Sequence, residues 1–197
     1  CATMTSQPGI VGRGVRNLAA DSTEKTALKG ESSYSAFGSA TAFTVSGWVK
    51  VLKQVNGAGI FQRKTRPQGD SGWNVLLSGA KQFTFYGGNN YLNSAVITAK
   101  NYSETSVVGN YVYLTVMHDG ADVALYVNGV YEGTGTAGKA PTDNNVPFHI
   151  GGGDFNYDSF LPMEADEVRL RNGNSSAEWM AEDYAADGCR VCVGIGG

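Results

Sequence analysis

The residues of this chain best suited to chemistry are a few acids, two histidines, three cysteines and a set of aromatics in glycine-rich turns. In Met163-Glu164-Ala165-Asp166-Glu167-Val168-Arg169, Glu164 and Asp166 are two apart and share one face of an extended strand. Glu167 points to the other face. Glycoside hydrolysis needs two carboxylates roughly 5–9 Å apart, and this pair is the nearest candidate. His118 and His149 form no Ser-His-Asp or Cys-His pattern, so nucleophilic catalysis has few actors. Both histidines read as packing or hydrogen-bonding groups in strands. Cys1, Cys189 and Cys192 stand at the extremities. A disulfide from Cys1 to Cys189 or Cys192 would staple the chain ends and belong to an oxidising compartment, with unpaired thiols as the other reading. Cys189-Arg-Val-Cys192 lacks the partner histidines of a zinc site and the βαβ setting of a redox pair.

Three clusters combine flat aromatic faces with polar groups, the ingredients of shallow sugar recognition. Trp73 follows Asp70-Ser71-Gly72. Tyr86, Asn89 and Tyr91 lie in one Gly/Asn-rich turn. Asp154, Phe155, Asn156 and Tyr157 lie in the loop 151–160. The plainer reading is that turn aromatics cover sheet edges and that Trp73 is core. Asn101-Tyr102-Ser103 and Asn174-Ser175-Ser176 are glycosylation acceptor patterns that matter only in an exported protein.

The elements that hold these residues are strands. Ala121 to Thr134, ADVALYVNGVYEGT, alternates Val123, Leu125 and Val127 up to Asn128-Gly129, with Val130 after it. Asn-Gly supplies the two positive-φ residues of a type I′ hairpin turn. In AFTVSGWVKVL, Phe43, Val45, Gly47, Val49 and Val51 share one face, and Thr44, Ser46, Trp48 and Lys50 the other. Hairpins are expected across residues 78–81 and across Asp119-Gly120, and 95–99 reads as a short edge strand. Residues 9–18 read as an irregular first strand, 59–64, 147–151 and 164–171 as later ones. Ser175 to Ala185 is the one helix, with Ser175 and Glu178 as its capping box. Ten to twelve short strands without βαβ alternation imply an all-β, two-sheet antiparallel sandwich or jelly roll. One domain of 1–197 is expected, with a core of about 9–186 and a Cys-containing tail, 187–197.

Composition narrows the partners. At 197 residues and 42% apolar, the chain suffices for one substantial core. A net charge of −3 and the lack of any Lys/Arg cluster exclude a nucleic-acid footprint. No apolar run approaches the roughly 20 residues of a membrane helix. A chain opening on Cys1 without Met reads as a processed form, a bacterial lipoprotein among them, as an excised fragment, or as the ordered start of a longer protein.

The order of these motifs resembles laminin-G-like domains of the concanavalin A-like lectin/glucanase superfamily. Residues 43–50, FTVSGWVK, are similar to that family's "FTISAWVK" strand, and Trp73–Leu77 fits the strand that follows. YLTVMHDG (113–120) is similar to "WHHVAGTYDG", with Tyr113 where the family usually has tryptophan. LYVNGV (125–130), FHIGG (148–152) and DEVR (166–169) match in order, then the short helix. The resemblance implies the sandwich and a secreted or cell-surface setting. The sandwich glucanases of the superfamily carry Glu-x-Asp-x-(x)-Glu, but the third acid is missing here: Val168 and Arg169 stand in its place. It also implies calcium. Asp166 shares its strand parity with Val168 and Leu170, and a carboxylate in an apolar register needs backbone N–H bonds or a metal. Asp166 is the first expected Ca²⁺ ligand, with Asp21 among the loop acids that would join it. The leading expectation is a non-catalytic extracellular lectin-like module that binds a glycan or an extracellular protein in adhesion. The alternative is a self-assembling surface or filament subunit, and a β-sandwich glycoside hydrolase comes third.

Overall fold

A computed structural model describes residues 5–8, 13–17, 28–29, 42–53, 55, 59–64, 72–79, 82–87, 94–100, 108–136, 148–152 and 161–193. At 5–8, 13–17, 28–29, 64, 79, 94 and 187–193 the description is of the backbone. Thirteen strands and one helix occur among these residues. They are β1 (Thr5–Pro8), β2 (Arg13–Asn17), β3 (Leu28–Lys29), β4 (Phe43–Val51), β5 (Gly59–Lys64), β6 (Gly72–Gly79), β7 (Gln82–Gly87), β8 (Ser94–Thr98), β9 (Val112–His118), β10 (Asp122–Val127), β11 (Val130–Thr136), β12 (His149–Ile150), β13 (Met163–Asn172) and α1 (Ala177–Val193). A seven-stranded sheet runs β1-β2-β13-β4-β9-β10-β11 and a six-stranded sheet β3-β12-β5-β6-β7-β8. Every pair of strands is antiparallel. The expected sandwich is the observed one, and both short hairpins fall where the turn residues place them.

Alternation decides what lies between the sheets. Phe43, Val45, Val49 and Val51 of β4 join Leu114, Leu125 and Met163 from the same sheet, and meet Phe61, Trp73, Val75 and Phe85 from the other. Trp73 stacks on Phe43 with ring centroids 4.6 Å apart. His118 is buried here too, its ring parallel to Phe43 at 5.4 Å and its Nδ1 accepting the Gly120 N–H at 3.0 Å.

Gly47 interrupts the inward row of β4 for a reason found on β13. The β4–β13 register shifts between Asp166 and Arg169. Glu167 adopts φ 48°, and its N–H donates to Asp166 Oδ1 at 3.0 Å. This bulge brings Val168 over Gly47, where a Cβ would sit 2.9 Å from Val168 Cα and 2.8 Å from its Cγ2. An extra residue reverses the parity of a strand. Met163 and Ala165 before the bulge, and Val168 and Leu170 after it, all pack on the core. Glu164 and Asp166 therefore face outward.

The Asn128-Gly129 turn does two jobs. Asn128 and Gly129 have φ 52° and 75°, as a type I′ turn requires. Asn128 also extends the pairing with β9: its N–H donates to Tyr113 O at 2.8 Å and its Oδ1 accepts the Tyr113 N–H at 2.9 Å. A Cβ on Gly129 would lie 3.0 Å from the ring of Tyr184 on α1.

Helix α1 covers the outer face of the seven-stranded sheet. Met180 packs on Ala124 and Tyr126, flanked by Met117 and Trp179. The cap is Ser176, one residue later than expected, whose Oγ accepts the Trp179 N–H at 3.1 Å. Ser175 is buried instead. The helix also outruns Ala185. Gly188 falls within it, but a mid-helix glycine costs only about 1 kcal/mol and the turns continue to Val193. The segment expected as a tail is thus helical through 193, and Cys189 and Cys192 lie on α1.

Candidate functional site

The outer face of the six-stranded sheet carries a row of polar side chains in register across four strands. Phe61, Val75, Phe85 and Ile150 point into the core, so their neighbours point away from it. His149 of β12 pairs with Gln62 of β5, Gln62 with Asn74 of β6, and Asn74 with Tyr86 of β7. Gln62 and Asn74 are 1% and 9% exposed, and His149 is buried as well. Tyr86 is half-buried, and beyond it Val96 and Thr98 of β8 are open to solvent. Thr84, in the next row, donates to Ser78 Oγ at 3.0 Å. Gln62 Nε2, a donor, and Asn74 Oδ1, an acceptor, have no hydrogen-bond partner among the described residues. Leaving such buried groups unpaired costs about 1–3 kcal/mol each. The row holds amides, a phenol and an imidazole, so its chemistry is hydrogen bonding to neutral polar groups.

Of the residues singled out from sequence, Tyr86 belongs to this row. Trp73, beside Asn74, does not: it is fully buried between Phe43 and Phe148 and presents no face to a ligand. Its strand parity, opposite to that of Asn74, sends it into the core. Asn89, Tyr91, Asp154, Phe155, Asn156, Tyr157, Asp21 and Cys1 lie outside the described residues, as do the side chains of Cys189 and Cys192. β7, which precedes Asn89 and Tyr91 in the chain, ends at Gly87, and β12, which precedes residues 153–160, ends at Ile150 at the opposite end of the strands. Their strands, β7 and β12, are three positions apart, about 14 Å. A hydrogen bond of 3.0 Å from the Leu161 N–H to Gly151 O closes the base of that segment. Gln62 and Asn74 were not singled out, although polar residues in the alternate positions of GIFQRK and GWNVLLSG were the available signal.

The acids sit on the other sheet. Glu164 is 3% exposed and engaged: Tyr111 Oη donates to its Oε2 at 2.5 Å, and Lys50 Nζ is 3.7 Å from the same oxygen. Asp166 pairs in register with Trp48, and its Oδ1 accepts the Glu167 N–H. The apolar register expected for Asp166 is corrected by the bulge, which puts it on the face opposite Val168 and Leu170. Ca²⁺ takes six to eight oxygens. Among the described residues no three His, Cys, Asp or Glu converge.

Next to Asp166 on this face a polar cluster ties α1 down. Tyr113 Oη donates to Asp183 Oδ2, Ser46 Oγ lies 3.2 Å from that same oxygen, and Arg169 Nη1 reaches Asp183 Oδ1 at 3.0 Å and Tyr113 Oη at 3.2 Å. Glu167 Oε2 holds Arg169 Nη2 at 2.9 Å. Burial first, and then the Asp183 hydrogen bond, push the Tyr113 phenol far above the ordinary tyrosine range. Arg169 occupies the outward position nearest to where a third catalytic acid would stand.

Comparison with known proteins gives this arrangement a family. A family model described as "Concanavalin A-like lectin/glucanases superfamily", of the laminin-G type, matches residues 23–181. The chain belongs to this superfamily. No curated protein sequence matches this superfamily member. Among solved structures it is similar to domain 4 of AbnA, an extracellular arabinanase of Geobacillus stearothermophilus, in complex with arabinotriose. That match has a TM-score of 0.69 at 17% identity and covers 92% of this chain and 81% of the other. It is also similar to the binding domain of Paraclostridial Mosquitocidal Protein 1 (TM-score 0.66, 13% identity) and to that of botulinum neurotoxin serotype G (0.69, 12%). The matches cover 93% and 94% of this chain but 45% of each of those chains, so the superfamily fold here spans less than half of either toxin domain. At these identities the likeness is one of fold.

Proposed function

We propose that this superfamily member is a non-catalytic, extracellular module that binds a neutral glycan across the six-stranded sheet. The observation that carries the reading is the in-register polar row, whose buried Gln62 donor and Asn74 acceptor have no hydrogen-bond partner among the described residues and whose accessible end is the half-buried Tyr86. A sugar hydroxyl both donates and accepts, so hydroxyls that enter from the Tyr86 end match such a pair. Tyr86, at the accessible end of the row, supplies the aromatic flank that sugar rings favour. The arabinotriose complex of the Geobacillus domain and the binding-domain role of the toxin relatives support a recognition function for this fold. The non-catalytic part is supported by Glu164, already engaged by Tyr111 and Lys50, and by a cation, Arg169, near the third acid position. No helix among the described residues is long and apolar enough to cross a membrane.

A glycan array tests the reading. Wild-type protein binds a defined set of neutral oligosaccharides, and Tyr86→Ala and Asn74→Ala weaken that binding without unfolding the sandwich. Hydrolysis of a bound sugar that is abolished by Glu164→Gln contradicts the non-catalytic assignment. Polymerisation without sugar binding supports the structural-subunit alternative. Calcium stays in the proposal as a structural ion held by Asp166 and Asp21, as the family likeness implies. A Tm that rises when calcium is returned to EDTA-treated protein supports it, and an unchanged Tm removes it.

A further inference from the structure

The segment that joins β13 to α1 carries one of the two glycosylation acceptor patterns, Asn174-Ser175-Ser176, while Asn101-Tyr102-Ser103 lies outside the described residues. Asn174 is exposed, Ser175 buried and Ser176 exposed. The pattern requires an acceptor amide and a hydroxyl two residues on. Here both face solvent, and the middle residue turns inward. The base of the segment is fixed. Gly173 adopts φ 88°, its N–H donates to Ala42 O at 2.9 Å, and its O accepts the Thr44 hydroxyl at 3.2 Å. A Cβ on Gly173 would meet no atom within 4 Å, so open space adjoins Asn174.

A helix cap would account for an asparagine at this place without any modification. The cap is instead Ser176, whose Oγ accepts the Trp179 N–H, and the Asn174 side chain makes no hydrogen bond among the described residues. We propose that Asn174 is an N-glycosylation site, so that the exported chain carries an oligosaccharide on the turn between β13 and α1. The proposal rests on the extracellular reading and adds a covalent sugar, distinct from any sugar the module binds. In the reaction, Asn174 Nδ2 forms a bond to the anomeric carbon of an oligosaccharide, and the bond from that carbon to a lipid diphosphate breaks. The diphosphate leaves with the electron pair, and the amide gives up one proton. The co-reactants are that lipid-linked oligosaccharide and its transferase, met during export. An attached sugar of this kind is bulky and solubilising. Its attachment point stands at the start of α1 and the end of β13, on the seven-stranded sheet, and not on the sheet that holds Gln62, Asn74 and Tyr86.

Mass spectrometry of the full chain collected from the medium of its native cells tests it. The peptide that holds Asn174 carries an added oligosaccharide mass, which a peptide N-glycosidase removes, leaving aspartate at that position. Asn174→Gln loses the mass and keeps the wild-type circular dichroism, because the side chain is exposed. Ser176 is both helix cap and acceptor hydroxyl, so two variants separate those roles. Ser176→Asp keeps a good cap but destroys the pattern, and the mass disappears while α1 stays folded. Ser176→Thr keeps cap and pattern, and the mass remains. An exported chain with Asn174 unmodified overturns the proposal and leaves the glycan-binding reading standing. Retention of the mass in Ser176→Asp overturns it too, since attachment would then not depend on the hydroxyl. A chain found only inside its cells overturns both the proposal and the extracellular part of the proposed function.

Discussion

Tyr113 shows how one side chain can serve the sheet and the helix together. Its backbone pairs with Asn128 at the hairpin turn, and its hydroxyl meets Asp183, Ser46 and Arg169 under α1. Burial raises its phenol above the unfolded value, so the folded state holds a proton that the unfolded chain releases near pH 10. The stability this confers is complete below that pH and is lost as pH rises beyond it. Thermal melts between pH 8 and 11.5 therefore show a falling Tm above about pH 10, and the fall is shallower in Tyr113→Phe. A second residue-scale prediction concerns Gly47. Gly47→Ala drives a methyl into the backbone of Val168, and urea unfolding registers a loss of about 1–3 kcal/mol, the range of an overpacked core. The sequence shows Gly47 inside an otherwise apolar row but not why it is there. The reason lies 120 residues away, in a bulge that no alternation pattern announces.

At the scale of elements, the hairpins were legible because their turns are local. Asn128-Gly129 and Asp119-Gly120 fix both conformation and register within a few residues. The β13 bulge was not legible, and it carried an error with it: reading one parity from Glu164 to Leu170 placed Asp166 among apolar neighbours that lie on the other face. The helix was legible in its first two turns, where Trp179, Met180 and Tyr184 recur at helical spacing. It was misread at both ends: adjacent serines compete for the cap, and the turns run on past Ala185 to Val193. What holds α1 to the sheet is as much polar as apolar. Asp183→Ala removes the shared acceptor of Tyr113, Ser46 and Arg169, so hydrogen exchange in α1 accelerates while β4 and β9 stay protected. Loss of these hydrogen bonds to Asp183 costs about 1–3 kcal/mol. Equal acceleration across β4 and β9 would instead mean that helix and sheet open as one unit.

For the whole molecule, the superfamily fold was readable from motif order, yet the polar row on the six-stranded sheet was not. Aromatics in glycine-rich turns drew the eye because sugar sites use them, and Trp73 proved to be core. The residues that the fold brings together, His149, Gln62, Asn74 and Tyr86, are scattered over nearly 90 positions, and each is an ordinary polar residue in its own strand. Only pairing across four strands makes them a row. The central claim is that this neutral row binds a sugar. It is tested most directly by following the side-chain amide resonances of Gln62 and Asn74 during titration with an oligosaccharide that the array selects. The account predicts that both amides shift saturably and that Tyr86→Ala weakens the response. Saturable binding that leaves both amides unmoved would contradict it.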